Sequence, residues 1–220
     1  MTSKRIRELN LFLIAFFAVS LFAYLFMNGG AYWRELRYSL FLRSPFANAD
    51  IREGNIIDVR SGGAPFSTSS PITSGGFQLA IPRIEITAPI AVPKDETKQG
   101  ILASLEEGVG LYPGSVDPGT PGRVILLGHS SKASWYRGEY AYVFALLPKL
   151  EVFDKIYVTG GGKKYIYQVF AKQILTPQAT NEFFATTPPD SELNLVTCYP
   201  IGSASKRTII QAKLISEEKI

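Results

Sequence analysis

The chain has 220 residues, of which 23 are Lys or Arg and 19 are Asp or Glu, so its net charge is +4. This length allows one core domain of ordinary size with additional segments. The basic residues are scattered, with no basic helix or RNA-binding motif, so we expect no nucleic acid among its partners. A single cysteine excludes an intrachain disulfide.

The first element in chain order is an uncharged apolar run, Leu11–Met27. At 1.5 Å per residue it is about 25 Å long, and with its flanking residues it reaches the thickness of a hydrocarbon core. Three basic residues, Lys4, Arg5 and Arg7, precede it. This layout favours an uncleaved signal anchor, with residues 1–8 as a cytoplasmic tail and 9–28 as a transmembrane span.

The sequence gives weaker signals for the membrane orientation of this segment and for whether it is cleaved. Arg34, Arg37 and Arg43 follow the run, so the basic residues on its two sides are nearly balanced. Because the large domain follows, we expect the N-terminus inside and that domain outside the cell membrane. Asn28–Ala31 offers a cleavage site, so removal as a signal peptide is the alternative.

Residues 29–76 divide into two parts. Ala31–Phe46 has the pattern of a short amphipathic helix, and Tyr32 and Trp33 suit the aromatic belt at a membrane surface. Residues 47–76 are rich in Gly, Ser, Pro and Thr without apolar periodicity. We therefore predict a juxtamembrane helix followed by a flexible linker.

Residues 77–220 consist of short β-like runs separated by turns. Gly160–Gly162 lies between two alternating runs and predicts a hairpin, and Thr97–Glu107 is typical of a short helix that ends at Gly108. Many short strands without βαβ spacing indicate a closed or sandwiched all-β domain. The predicted strands are Gln78–Ile81, Ile84–Ile86, Val124–Leu127, Lys155–Thr159, Lys164–Lys172, Leu193–Thr197 and Thr208–Leu214.

The lone cysteine and the lone histidine both end apolar runs. Cys198 ends one strand-like run, His129 ends another, and Arg207 opens a third. A thiolate nucleophile needs a proton acceptor and a cationic neighbour, and strand ends bring side chains to the rim of a sheet. Taken singly, each residue is more often structural: a buried thiol, a packed imidazole, a surface charge. Together they predict a Cys/His site.

The chain order is His129, then Cys198, then Arg207, each at one end of a predicted strand. With the N-terminal anchor, this order resembles that of sortases, the membrane-anchored cysteine transpeptidases of bacterial surfaces. The resemblance extends from about Phe77 to Leu214. Two positions depart from the family pattern: Phe153-Asp154 stands where many members have Gly-Asp, and Asn194 where Thr is common. The matching motifs are Leu79–Ile86 with Ala88-Pro89-Ile90, Gly108-Val109, Tyr112-Pro113-Gly114, Pro121–His129, Leu195–Cys198 and Lys206–Ile210.

The resemblance implies an all-β fold, a closed eight-stranded barrel with short helices behind a transmembrane helix. It implies that Cys198 is the nucleophile and that His129 gives a proton to the leaving amine and takes one from the incoming amine. It implies that Arg207 steadies the oxyanion or orients the substrate backbone. The reaction would cleave a Leu-Pro-x-Thr-Gly-like sorting signal on substrate proteins and pass the acyl group to an amine of a peptidoglycan precursor or a pilin.

Substrate contacts are expected from Gln173–Glu192, where Phe183 and Phe184 could receive a Leu-Pro pair. Packing of a short helix onto the barrel would explain both rings equally well. Thr197, beside the nucleophile, is also expected to contact substrate. We expect no metal and no cofactor, since the carboxylates that could bind calcium are scattered along the sequence, at Glu106, Glu107, Asp117 and Glu182.

Two other classes of function stay open at this point. A Cys/His hydrolase, such as a papain-like or cell-wall peptidase, usually has its cysteine first and on a helix, the reverse of the order here. A membrane-tethered β-domain that only binds a partner would leave Cys198, His129 and Arg207 uncorrelated in space.

Overall fold

The computed structural model describes residues 3–42, 76–131, 138–186 and 188–220. Nearly all of the predicted linker, residues 47–76, lies outside these ranges. The division into residues 1–8, 9–28, 29–76 and 77–220 therefore stays a prediction.

A single long helix, α1, spans Ser3–Arg37 and is followed by a π-helical turn over Tyr38–Leu42. Its segment Arg7–Phe26 has a mean hydropathy of 2.3 and is exposed throughout, so it is long and apolar enough to cross a membrane. The predicted amphipathic helix from Ala31 is not a separate element, because the helical hydrogen bonding continues through it to Arg37.

The remaining elements form a closed eight-stranded barrel with short helices, which confirms the predicted fold class. The barrel order is β1-β2-β3-β4-β7-β8-β6-β5, with parallel pairing of β2 with β3 and of β4 with β7, and antiparallel pairing elsewhere. The strands are β1 Gln78–Ile81, β2 Ile86–Ala91, β3 Val109–Leu111, β4 Gly122–Leu127, β5 Lys155–Gly160, β6 Lys163–Leu175, β7 Ser191–Tyr199 and β8 Lys206–Lys219.

Two short helices connect strands, and each begins at a threonine cap. The Thr97 hydroxyl accepts a hydrogen bond from a backbone N–H at the start of α2, Lys98–Glu107. The Thr176 hydroxyl does the same for α3, Pro177–Phe184. These caps satisfy N–H groups that have no partner inside the helix. The α3 helix joins β6 to β7 and lies outside the barrel.

The predicted strand Ile84–Ile86 is wrong. Pro82–Ile84 forms a 3₁₀ turn, Glu85 adopts a left-handed conformation with φ of 51°, and β2 begins only at Ile86. Proline at the first position of the turn fixes φ near the helical value, which favours a turn over a strand here. The three-residue strand β3 was not predicted, since a segment this short carries no readable alternation.

A second exposed residue, besides Glu85, keeps an unfavourable left-handed backbone conformation. Phe153 lies in the turn before β5 with φ of 78°, and 74 % of its surface is exposed. Its N–H donates to the Val169 carbonyl at 2.9 Å, which holds the turn in place. A residue with a Cβ atom pays a steric cost in this region that glycine does not.

We expect Phe153→Gly to raise the free energy of unfolding by about 0.5 kcal/mol, because relief of the left-handed strain outweighs the greater backbone freedom of glycine in the unfolded chain. Chemical denaturation measures the change. Val152→Gly is the matched control: it changes the neighbouring exposed residue, whose φ is not positive, and should lower stability. Equal destabilisation by both variants would contradict the inference that the Phe153 backbone is strained.

Candidate functional site

The outer face of β4, β7 and β8 carries a second apolar cluster, separate from the barrel interior. It is built from Ile125, Val196 and Ile209. Because side chains alternate between the two faces of a strand, the residues two positions away along each strand share this outer face. The same face therefore carries Leu127 and Cys198.

The strand register brings the predicted residues to one rim of the sheet. Cys198 lies directly opposite Arg207 across the β7–β8 pair, and Leu127 lies opposite Val196 across the parallel β4–β7 pair. His129 is two residues beyond Leu127, as Cys198 is beyond Val196. The register thus places Cys198 beside Arg207, and His129, two residues beyond the end of β4, lies at the same rim; we call these three residues the strand-end row.

The backbone beyond the last residue of β4 stays in register with β7. The Gly128 N–H donates to the Val196 carbonyl at 3.1 Å, and the Thr197 hydroxyl donates to the Gly128 carbonyl at 2.8 Å. Gly128 also lies against the buried Phe144 ring, where an added Cβ would be 2.4 Å from a ring carbon. A glycine is required at this close approach, immediately before His129.

Burial shapes the chemistry of the imidazole. His129 Nε2 is shielded from solvent and has no hydrogen-bond partner among the described residues. This burial lowers the pKa of His129 below its ordinary value of 6.5, since the charged form is the costlier one to desolvate. The ring is therefore mainly neutral at pH 7, and its shielded Nε2 makes no hydrogen bond to Cys198 or to any other described residue.

The Arg207 guanidinium is held by the turn between β7 and β8. Its Nη1 donates to the carbonyls of Ala204 and Lys206, each at 2.9 Å. A guanidinium has five N–H donors and keeps its charge at every accessible pH. The remaining donors of Arg207 can thus serve a bound molecule.

A groove of about 440 Å³ lies between the sheet and α3, beside the strand-end row. Its apolar floor comes from β4 and β7, and Arg207 borders it. We call this the α3 groove, and its lining residues are Tyr112, Ile125, Leu127, Thr180, Asn181, Phe184, Ala185, Val196 and Arg207.

The two predicted phenylalanines occupy different places. Phe184 lines the α3 groove, whereas Phe183 does not. Both rings pack against the outer apolar cluster and meet edge to face with centroids 5.1 Å apart. Helix packing therefore accounts for both rings, and Phe184 is also open to a ligand; contact of either ring with substrate stays a prediction.

Thr197 faces the other way. Its side chain is only 2 % exposed and its hydroxyl is engaged by the Gly128 carbonyl. Alternation along β7 puts it on the interior face, opposite to Val196 and Cys198. Here its side chain steadies the segment before His129, while its predicted contact with substrate stays untested.

The part of the chain that the structure describes contains no cluster of potential metal ligands. No three His, Cys, Asp or Glu side chains come together there in a group that could hold an ion. The expectation that neither a metal nor a cofactor is required stays a prediction.

Arg123 was not predicted as a site residue, yet it fixes one wall of the groove. Its Nη1 donates to the carbonyls of Phe183 and Thr186 at 3.0 and 2.8 Å, at the C-terminal end of α3. Its Nε lies 3.4 Å from a carboxylate oxygen of Glu192, and the two side chains are only 10 % and 16 % exposed. Its guanidinium also stacks over Phe183 and Phe184, 4.8 and 5.4 Å from the ring centroids. A cation at a helix C-terminus interacts favourably with the negative end of the helix dipole.

Comparison with known proteins now identifies the family. The family model described as the sortase domain matches residues 79–215. The chain belongs to the sortase family. This confirms the resemblance drawn from the sequence and places the chain in a family of transpeptidase enzymes.

Solved sortases share the fold. Sortase A from Corynebacterium diphtheriae is 29 % identical with a TM-score of 0.54, and the match covers 64 % of this chain and 61 % of that one. This chain thus spans about three fifths of that protein. Sortase C-1 from Actinomyces oris (formerly Actinomyces naeslundii) is 26 % identical with a TM-score of 0.52, over 64 % of this chain and 73 % of its own.

A more distant structure supports the fold alone. Sortase A of Listeria monocytogenes is 20 % identical with a TM-score of 0.54, and the match covers 67 % of this sortase and 92 % of the Listeria chain. No protein of curated description matches this chain.

We expect the imidazole of this sortase to titrate below pH 6.5, because burial disfavours its charged form. The chain has one histidine, so the Cε1–H signal of isotope-labelled histidine reports it without overlap in an NMR titration. The denatured chain is the control and should titrate near 6.5. A folded-state midpoint at or above 6.5 would contradict the buried, neutral ring.

We expect Arg123→Gln to loosen α3, because Glu192 and the α3 carbonyls lose a shielded cation. Hydrogen exchange over residues 177–186 should accelerate, and the free energy of unfolding should fall by about 3 kcal/mol. Arg123→Lys should give exchange rates and a stability between those of the native protein and Arg123→Gln, since an ammonium group does not reproduce the planar donor geometry of a guanidinium.

The matched control for this loss is Lys163→Gln, which breaks an exposed pair with Glu217. It should lower the free energy of unfolding far less than Arg123→Gln, because water screens an exposed ion pair. Unchanged α3 exchange in Arg123→Gln would show that Arg123 does not hold the helix.

Proposed function

We propose that this sortase is a cysteine transpeptidase in which Cys198, His129 and Arg207 carry the reaction. The observation behind the proposal is the strand-end row: the register pairs Cys198 with Arg207, and His129 lies at the same rim, next to the α3 groove. A thiol, a titratable ring and a permanent cation in one row are the groups that acyl transfer needs.

In the first half of the reaction, the neutral His129 ring takes the Cys198 proton as the sulfur attacks the peptide carbonyl carbon. The C–N bond then breaks, and His129 delivers the proton to the departing amine. The product is a thioacyl enzyme and a free C-terminal fragment. The lowered pKa of His129 suits this role, since a weakly basic ring gives its proton up readily.

In the second half, an acceptor amine attacks the thioacyl carbon and His129 takes its proton. The C–S bond breaks and the Cys198 thiolate regains the proton, which restores the starting state. Arg207 donates to the oxyanion or to the substrate backbone in both halves, because its charge is permanent.

The α3 groove supplies binding for the acyl side of the substrate. Its floor residues Ile125, Leu127 and Val196, with Phe184 on the wall, form an apolar surface suited to a Leu-Pro pair. We propose that the substrate proteins carry a Leu-Pro-x-Thr-Gly-like sorting signal, cleaved after the Thr. The acceptor is an amine of a peptidoglycan precursor or a pilin.

We further propose that α1 anchors the enzyme in the cell membrane as a single pass, with residues 77–220 as the extracytoplasmic catalytic domain. The exposed, apolar stretch of α1 supports the anchor. A binding-only β-domain is disfavoured, since nothing would then bring three reactive residues to one rim.

Cys198→Ala should abolish cleavage of a Leu-Pro-x-Thr-Gly-type peptide, because no thioacyl enzyme can form without the sulfur. His129→Ala should be nearly as severe, as the chain has no second histidine. Arg207→Lys should lower kcat/KM by about 10²–10³, the loss typical of a removed oxyanion donor.

Lys206→Gln is the matched control, because it removes a positive charge from the exposed neighbour of Arg207 without altering the row. It should keep a near-native rate. An Arg207→Lys variant as active as Lys206→Gln would show that Arg207 supplies only general charge.

Transfer to an amine distinguishes a transpeptidase from a Cys/His hydrolase. Adding a glycine-like or diaminopimelate-like amine should divert the product from free acid to amide, and mass spectrometry resolves the two. Free acid alone, across a panel of amines at high concentration, would reject transfer in favour of hydrolysis.

A further inference from the structure

The long helix α1 does more than cross the membrane, because its C-terminal part packs onto the barrel. Arg7–Phe26 is exposed throughout, whereas Ala31 is fully buried and Tyr38 is 5 % exposed within the barrel's main apolar cluster. The catalytic domain therefore packs against the helix mainly beyond the apolar segment, and it contacts that segment near its end, at Tyr24.

The polar contacts between helix and barrel follow a definite order along α1. Near the end of the apolar segment a tyrosine hydroxyl donates to a carbonyl of the β7–β8 turn, and farther along the helix the partners come from other parts of the barrel, the last of them from the β1–β2 turn. These contacts join Tyr24 to Ile201 at 3.3 Å, Arg34 to Tyr142 at 3.1 Å, Glu35 to Lys149 at 2.8 Å and Arg37 to Glu85 at 3.6 Å.

This order orients the barrel relative to the apolar segment. Ile201 is three residues after Cys198, so at most about 11 Å of chain separates them. Glu85 meets the helix thirteen residues after Tyr24, about 20 Å farther along its axis. The β7–β8 side of the barrel rim is thus closest to the apolar segment, and the β1–β2 turn, across the same rim, is the farthest of these contacts.

We propose that the catalytic end of the α3 groove faces the bilayer, with the β7–β8 turn, residues 200–205, lying among the phospholipid headgroups. Tyr24 suits the headgroup level, where tyrosine is enriched, and the exposed Lys206 suits an anionic lipid surface. The site then favours reactants whose reacting groups are held at the membrane surface. The proposal rests on the anchor proposed above and not on the chemistry of Cys198.

Two adjacent glycines of α1 offer a matched pair of variants. A Cβ at Gly30 would lie 2.7 Å from the ring of Tyr142, whereas a Cβ at Gly29 would meet nothing within 4 Å. A bulky side chain at Gly30 therefore separates helix and barrel, and the same change at Gly29 leaves them in contact.

The test measures the distance from lipid on the β7–β8 side and on the β1–β2 side of the domain. The full chain is reconstituted in phosphatidylcholine–phosphatidylglycerol vesicles with a fluorophore on Cys198, its only cysteine. A second protein carries Cys198→Ala and Thr87→Cys, which puts the fluorophore two residues from Glu85. Lipids with a nitroxide headgroup should quench the Cys198 label strongly and the Thr87→Cys label weakly.

Gly30→Phe should remove most of this difference, and Gly29→Phe should preserve it. Equal quenching of the two labels, or stronger quenching at Thr87→Cys, would overturn the orientation. Identical quenching in the two glycine variants would show that docking of α1 does not set the orientation of the domain. Vesicle flotation checks the anchor: a chain that does not float overturns both anchor and orientation, whereas the chemistry of Cys198 is tested separately by peptide cleavage.

Discussion

Parallel pairing of β4 with β7 is the constraint on which the rest of this structure depends. It pairs Leu127 with Val196, so His129, just after β4, and Cys198, near the end of β7, reach the same rim. Antiparallel pairing of β7 with β8 then sets Arg207 opposite Cys198. Had β4 slipped by one residue, His129 would face the other side of the sheet, because side chains alternate with a period of two. Gly128 and Thr197 hold this register beyond the last paired residue.

The α3 groove depends on a second, local set of contacts. The helix is fixed at its start by the Thr176 cap and at its end by Arg123, which also pairs with Glu192 on the neighbouring strand. Because Arg123 lies on the same strand face as Ile125 and Leu127, one strand supplies both the groove floor and the clamp for its wall. Wall and floor are thus coupled, and the binding surface is preorganised by charge as well as by apolar packing.

Much of this arrangement could be predicted from the sequence, because strand ends and turn residues leave local signals. The runs ending at His129 and Cys198 were readable, and alternation alone would have added Leu127 and Val196 to the groove. The Arg123 clamp could not be predicted, since its partners lie 60 or more residues away. The only local sequence signal was a charged residue, Arg123, at the start of an apolar strand. The docking of α1 is likewise non-local: Ala31 and Gly30 carry no sign of the barrel surface that they meet.

The central claim is that Cys198 forms the covalent intermediate while His129 and Arg207 act on the same bond. Intact-mass analysis of the enzyme, quenched in acid shortly after mixing with a sorting-signal peptide, tests it most directly. We expect a mass increase equal to the acyl fragment, mapped by proteolysis to Cys198 and removed by a nucleophilic amine. A cleaved peptide without any adduct on Cys198, even at the earliest times, or an adduct on another residue, would contradict it.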